Sequence, residues 1–476
     1  YKICINFKKN WGIEMNFTAQ DVERMIEQQR SFYFSRQTKD VDFRKKKLQQ
    51  LKECIQEYEE DVVKALKLDL NKSEFEAYAT EIGIVYDSIS YLVKNIDEWM
   101  KPESVKTPIQ FQPGKSFIIR EPYGVVLIIG PFNYPFQLIM EPLIGAIIAG
   151  NTAIVKPSEA APHTAAIVKK IIQETFGENY VRVVEGEKEE VTALIHASFD
   201  YIFFTGSVAV GKVIAKAAAE RLTPICLELG GKSPAIVDQT ANLDVAAKRI
   251  AWGKFNNAGQ TCVAPDYVMV HASVYNKFMK NLKKTINEFY GANPQESSDF
   301  GRIINTRQFD RLQSILEREA NDIIFGGQTS REDLYIEPTV IENVTWSSPS
   351  MEDELFGPLM PIMKYEELPQ AIHQIRQLPK PLAAYLFSEN EKAIDYFLDE
   401  LPFGGGCINE VITHVGNMHL PFGGVGPSGV KAYHGKASFE NFTHPKSILK
   451  RSTKLATDIL FPPYKNKVKL VRLIMK

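Results

Sequence analysis

The sequence predicts an α/β chain: a doubly wound parallel sheet, a second α/β unit, and a small β arm. Three observations carry that expectation. Between Gly124 and Arg221 fully apolar runs alternate strictly with helical runs, the pattern of a parallel sheet with right-handed crossovers. A second α/β series starts near "ICLELGGKSPAIVD" at 225–238. Ahead of both, "SVKTPIQFQPGKSFIIREPYG" at 104–124 is broken by Pro and Gly and reads as a protruding hairpin or crossover between domains. At 476 residues the chain exceeds what one core usually covers, so two or three domains are expected.

Taken in order, the stretch 1–14 precedes Met15, lacks an apolar signal core and shows no periodicity. Met15 is therefore expected to be the natural start and 1–14 a non-native leader. From Lys45, Leu48, Leu51, Ile55, Tyr58 and Val62 recur at helical spacing. "GVVLIIG" is a strand covered on both faces, and "LIMEPLIGAIIAG" a buried helix. Strands "TAIVKP", "VRVVEG" and "YIFFTG" then alternate with helices "HTAAIVKKIIQETF", "EEVTALIHAS" and "SVAVGKVIAKAAAER". The second series runs through "DYVMVHAS", helix "YNKFMKNLKKTINEFY", "DIIFGG" and "LFGPLMPIMKY" into a helical section ending near Glu400. The glycine-crowded segment 402–429 resembles loops lining a site more than a core.

Composition excludes several functions. A net charge of -2 gives no global attraction to nucleic acid. Five scattered cysteines without a C-x-x-C pair argue for a reducing compartment, against a disulfide framework or a zinc site. The eight histidines form no H-E-x-x-H, and His414 and His419 read as ordinary loop residues. No apolar run reaches the ~18 residues of a membrane span.

The chemistry-bearing stretches are individually moderate. In "FNNAGQTCVAPD", Cys262 sits at an element boundary after Gly259-Gln260-Thr261, where a thiolate could meet a ligand; an inert buried thiol is the alternative. "CLELGGKSP" places Glu228 in an apolar strand, as a general base with a raised pKa or a carboxylate paired with Lys or Arg. "IIGPFNYPF" puts the two amide donors of Asn133 at a strand end, fit for an oxyanion or simply for a turn. Thr205, Gly206 and Ser207 lead a strand into a helix whose N–H groups favour an anion, although the glycines at 206 and 211 do not make G-x-G-x-x-G. Lys156 and Glu159 stand at the same sheet edge, where a ribose or only solvent would meet them. Glu354 and Phe356 flank a sharp turn that could equally be an acidic surface loop.

Together, "LELGGKSP", "FNNAGQTCVAPDYV", "EDELFGPLMPI", "LPFGGVGPSG" and "AYHGKASFENFTH" resemble the aldehyde dehydrogenases, and within them the class 3 group, from about Thr18 to Phe461. The resemblance implies a cofactor domain (15–103 and 125–228), a catalytic domain (229–415), a bridging and dimerisation arm (104–124 and 416–450) and a tail (451–476). It implies NAD or NADP as cofactor, a medium- or long-chain aliphatic or aromatic aldehyde as substrate, and a homodimer in the cytoplasm. Cys262 is then the nucleophile, Glu228 the base and Asn133 the oxyanion donor. By the same likeness Thr205, Gly206, Ser207, Val210 and Gly211 lie beside the cofactor phosphates, and Lys156 and Glu159 near the adenosine ribose. Leu229, Glu354 and Phe356 fall at the nicotinamide end, with Glu354 a competing base. Cys226 and Cys407 have no partner motif and read as inert. The tail's Leu470, Val471, Leu473, Ile474 and Met475, among Lys465, Lys467, Lys469 and Arg472, could form a basic amphipathic segment for an anionic membrane surface.

Overall fold

The computed structural model describes residues 18–454, 461–465 and 467–474. The expected leader lies outside them, as do Met475 and the side chain of Ile474. Among the described residues the chain forms two large sheets, a three-stranded arm and a small hairpin.

The first sheet has six strands in the order 429–430, 225–228, 201–205, 125–129, 152–156 and 181–183. All neighbours are parallel except the short edge strand Gly429–Val430, which runs antiparallel to Ile225–Glu228. Val125–Ile129 and Thr152–Lys156 are buried along their whole length, which is why they read as unbroken apolar runs. Helix Gln137–Ala149 is buried on every side and stops at Gly150, whose φ of 99° is open to glycine at little cost. Helix Val208–Arg221 starts from Ser207, whose hydroxyl accepts from Val210 N at 3.4 Å.

The second sheet has seven strands in the order 323–325, 339–341, 359–365, 267–271, 234–237, 383–387 and 405–408. Here the structure corrects three expectations. The second series opens at Pro234 rather than near Ile225: Ile225–Glu228 completes the first sheet and Pro234–Val237 belongs to the second, so the chain crosses between layers over 229–233. The section before Glu400 is not all helix, because Ala383–Phe387 is a buried parallel strand between helices Leu368–Ile375 and Glu391–Glu400. Gly405–Ile408, inside the glycine-rich segment, is a strand as well, and a Cβ at Gly406 would strike the backbone of Ala384 on the neighbouring strand.

Residues 103–105 and 114–122 form the expected hairpin, extended by Thr443–Arg451 into a three-stranded antiparallel sheet. Gly429–Val430, placed with this arm by sequence, belongs instead to the first sheet. Ahead of the sheets stand helices Ala19–Phe34, Val41–Glu57, Glu59–Leu70 and Gly83–Trp99. The first is set by a Thr18–Asp21 capping box that the sequence reading passed over.

Candidate active site

The loop carrying Cys262 leaves helix Leu243–Phe255 through backbone that L-residues avoid. Asn257 and Ala258 take φ of 52° and 51°, and Gly259 follows at 76°. Glycine is required there, since a Cβ at 259 would overlap the carbonyl of Gly357 from the Glu354 loop. Phe356 and Ile412, at φ of 48° and 61°, add two more left-handed residues nearby. Such conformations persist only where surrounding contacts over-determine them.

Those contacts are present. Gln260 Nε2 donates to Arg302 O at 2.9 Å, and its Oε1 accepts from Ile304 N at 3.0 Å. Asn133 Nδ2 donates to Gln260 O at 3.0 Å, Asn257 Nδ2 donates to Asn133 O at 2.8 Å, and the Tyr134 hydroxyl bonds the Thr261 hydroxyl at 2.7 Å. The Asn133 turn and the Cys262 loop are thus sewn together, which leaves one amide hydrogen of Asn133 uncommitted to that bond. Beneath them lies a fully buried ion pair that the sequence reading missed. Lys72 Nζ donates to Glu81 Oε1 at 2.5 Å and to Asn133 O at 3.0 Å. Glu81 Oε2 accepts from the backbone of Phe136 and Gln137. Glu81 sits in a π-helical turn, Tyr78–Ile82.

Cys262 is half-buried and opens on a cavity of about 550 Å³. Its walls include Tyr134, Trp252, Phe289, Tyr290, Phe422 and Tyr433. The other three described cysteines do not line it. Burial pushes the Cys262 thiol up to about 12, helped by the negative charges of Glu354 and Glu228 and opposed by the N–H groups of Cys262 and Val263.

Glu228 ends its strand fully buried, with Thr205 and Gly429 as register partners. Burial drives its carboxyl well above the usual range. Of the two readings left open for it, a Lys or Arg partner is absent among the described residues. Oε1 accepts from the Cys226 thiol at 3.7 Å, and Oε2 has no protein partner among the described residues. Glu354 is partly buried rather than on a surface loop, and burial with nearby Asp266 raises it to about 8. Glu354 packs so closely on Gly230 that a Cβ there would strike its carboxylate. Cys407 also has a partner the sequence did not reveal: its sulfur lies 3.4 Å from His414 Nδ1. Burial depresses His414 to about 4, so the imidazole is neutral at physiological pH.

Beside Glu228 on the neighbouring strand, Thr205 ends its strand with a buried hydroxyl that finds no protein partner among the described residues. Gly206 follows, donating to Glu228 O, and Gly211 packs on Leu229 so tightly that a Cβ would collide. Val210 and Val213 present apolar surface on the first turns of the helix. Lys156 is buried and donates to Glu159 Oε2 at 2.9 Å, with Glu159 exposed. Phe356 meets Phe132 edge to face. An orphaned hydroxyl, a capped helix start with exposed apolar side chains and a buried lysine suit a nucleotide whose phosphates and rings need both kinds of contact.

Comparison with known proteins decides the family. Residues 8–448 match the model of the aldehyde dehydrogenase family. The chain belongs to the aldehyde dehydrogenase family. It is 52% identical to 4,4'-diaponeurosporen-aldehyde dehydrogenase of Staphylococcus aureus over 96% of this chain and 99% of that one. A dimeric NADP-preferring aldehyde dehydrogenase of Canis lupus familiaris is 44% identical, over 90% and 94% of the two chains. A substrate-bound structure of Staphylococcus aureus AldH superimposes with a TM-score of 0.94 at 52% identity, covering 96% and 99%. As a member of this family the enzyme oxidises aldehydes to carboxylic acids with NAD or NADP.

Proposed function

We propose that Cys262 is the nucleophile, Asn133 with the Cys262 backbone N–H the oxyanion donor, and Glu228 the base that activates water. The observation that carries this reading is Cys262 on the wall of the large apolar cavity, in a loop hydrogen-bonded to Asn133. Cys262 first loses its proton to solvent, the thiolate Sγ then adds to the aldehyde carbon, and the developing alkoxide takes hydrogen bonds from Asn133 and the Cys262 N–H. A bound nicotinamide would supply the hydride acceptor that turns this Cys262 adduct into a thioester. Glu228 Oε2 then takes a proton from water whose oxygen attacks the thioester carbon. The C–S bond breaks, the acid departs and the sulfur is restored.

Thr205, Gly206, Ser207, Val210 and Gly211 would hold the cofactor phosphates, and Lys156 and Glu159 its ribose. Leu229, Glu354 and Phe356 would lie at the nicotinamide end. Residues 15–103 and 125–228 form the cofactor domain and 229–415 the catalytic one. The aromatic cavity supports a medium- or long-chain aliphatic or aromatic aldehyde as substrate. The exposed strand Glu103–Val105 at the edge of the arm supports homodimer formation, and the cysteine usage a cytoplasmic location. No described helix is long and apolar enough to cross a membrane. Helix Val468–Ile474 exposes Val468, Leu470 and Leu473 beside basic residues, which supports salt-sensitive contact with anionic vesicles.

The test is reduced-cofactor absorbance across an aldehyde chain-length series, with NAD and NADP in parallel. Wild type oxidises the longer aldehydes best, and Cys262→Ala loses turnover while still binding cofactor. Turnover by Cys262→Ala above roughly a thousandth of wild type refutes the nucleophile assignment.

A further inference from the structure

Cys226 stands two residues before Glu228 on one strand, and alternate strand residues project from the same face. Its thiol is completely buried and donates to Glu228 Oε1 at 3.7 Å, within reach of an S–H hydrogen bond. That contact leaves Oε2 as the carboxylate oxygen without a protein partner among the described residues. The thiol is itself held from behind. Burial, with the charge of Glu228, pushes the thiol well up, which keeps it protonated as a donor, and Asn441 and the Lys431 ammonium oppose this only in part. Asn441 Oδ1 accepts from the Tyr201 hydroxyl at 2.5 Å, and Lys431 Nζ donates to the same hydroxyl at 3.2 Å. Lys431 also lies 4.5 Å from the centre of the Tyr201 ring. The strand pairing of Val430 with Leu227 brings this group of polar side chains to the end of the Glu228 strand.

We propose that Cys226 is a positioning residue for acyl-enzyme hydrolysis, holding Glu228 Oε1 so that Oε2 is the oxygen that takes the proton from water. This rests on Glu228 being the base. Without the thiol donor, both carboxylate oxygens stand unpaired in a buried site, and the ionised form loses its one side-chain hydrogen bond. The base then ionises at higher pH, and less of it is active at any pH below that limb.

The experiment needs no cofactor. The full chain is acylated at Cys262 with p-nitrophenyl acetate, and loss of the acyl group is followed by intact mass across pH. Cys226→Val fills the sulfur's space without a donor, Cys226→Ser restores a donor, and Glu228→Gln removes the base. The expected result for Cys226→Val is normal acylation. Its hydrolysis limb moves up by about half to one pH unit, which is about threefold to tenfold slower hydrolysis below the limb. Cys226→Ser lies between Cys226→Val and wild type. A wild-type limb in Cys226→Val, with hydrolysis abolished in Glu228→Gln, overturns the positioning role and leaves the base assignment standing. Slower hydrolysis with an unmoved limb, equal in Val and Ser, overturns it too, as a packing defect. Wild-type hydrolysis in Glu228→Gln overturns the base assignment beneath it. If Cys226→Val cannot be purified, Cys226→Ala gives the same comparison of limbs.

Discussion

Replacing Lys72 with Met removes the brace under the Asn133 turn, and the cost can be worked from its bonds. Lys72 and Glu81 are both fully buried, 2.5 Å apart, and Lys72 also holds Asn133 O. Taking away one member of a buried pair strands the other charge, which costs about 3–5 kcal/mol. Glu81 keeps its bonds from Phe136 N and Gln137 N, and Met fills most of the lysine stem, so the lower end, about 3 kcal/mol, is expected. Lys72→Met combined with Glu81→Gln buries no net charge, keeps the Phe136 and Gln137 donors on the Gln oxygen and leaves the Asn133 carbonyl one donor short, a loss of about 1–2 kcal/mol. The double variant should therefore be more stable than the single. Urea unfolding followed by tryptophan fluorescence measures the order. The single variant should also acylate more slowly, by about tenfold, because the Asn133 carbonyl keeps only the Asn257 donor at 2.8 Å. Coincident unfolding midpoints for single and double variants, or a loss below about 1 kcal/mol, would refute the brace.

Other outcomes test the same site. Glu228→Gln should give a burst of reduced cofactor near one equivalent, then accumulate acyl-Cys262 by mass; accumulation only in Glu354→Gln would move the base role to Glu354. With the Cys262 thiol pushed up to about 12, iodoacetamide labelling of cofactor-free enzyme should climb roughly tenfold per pH unit between pH 7 and 10, and a plateau below pH 9 would contradict this. A carboxyl whose folded pKa is raised loses stability as pH climbs past its unfolded value, about 4.3 for Glu. Glu228→Gln should therefore gain thermal stability over wild type, with a margin that opens above about pH 4.3 and widens as pH rises toward the folded value, and a margin constant with pH would count against burial of the charge.

The parallel strands and the Cys262 motif were legible because their signals are local: continuous apolar runs, and a thiol placed after Gly-Gln-Thr at a helix end. What stayed hidden depends on pairing across long stretches of chain. Ala383–Phe387 is as apolar as any strand, yet flanking helical periodicity absorbed it. Lys72 and Glu81 look like surface charges until the fold buries them under residues some fifty positions away. The Cys226–Glu228 contact is adjacent in sequence, but an i, i+2 pair declares itself only once both residues are known to be in one strand. The start of the second series reads too early, at Ile225 rather than Pro234, because two strands of different sheets stand only five residues apart, over Leu229-Gly230-Gly231-Lys232-Ser233.

That crossing at 229–233 has a mechanical consequence. Glu228 belongs to one layer and the Cys262 loop to the other, and a covalent link of five residues joins the layers directly behind the base. If the layers rock, this link is a pivot, and displacement about a pivot grows with distance from it. Opening the far edges by several ångströms for cofactor to enter or leave would move Glu228 against the second layer by only a fraction of that. A pivot placed there would keep the distance between base and nucleophile loop nearly constant during any such opening.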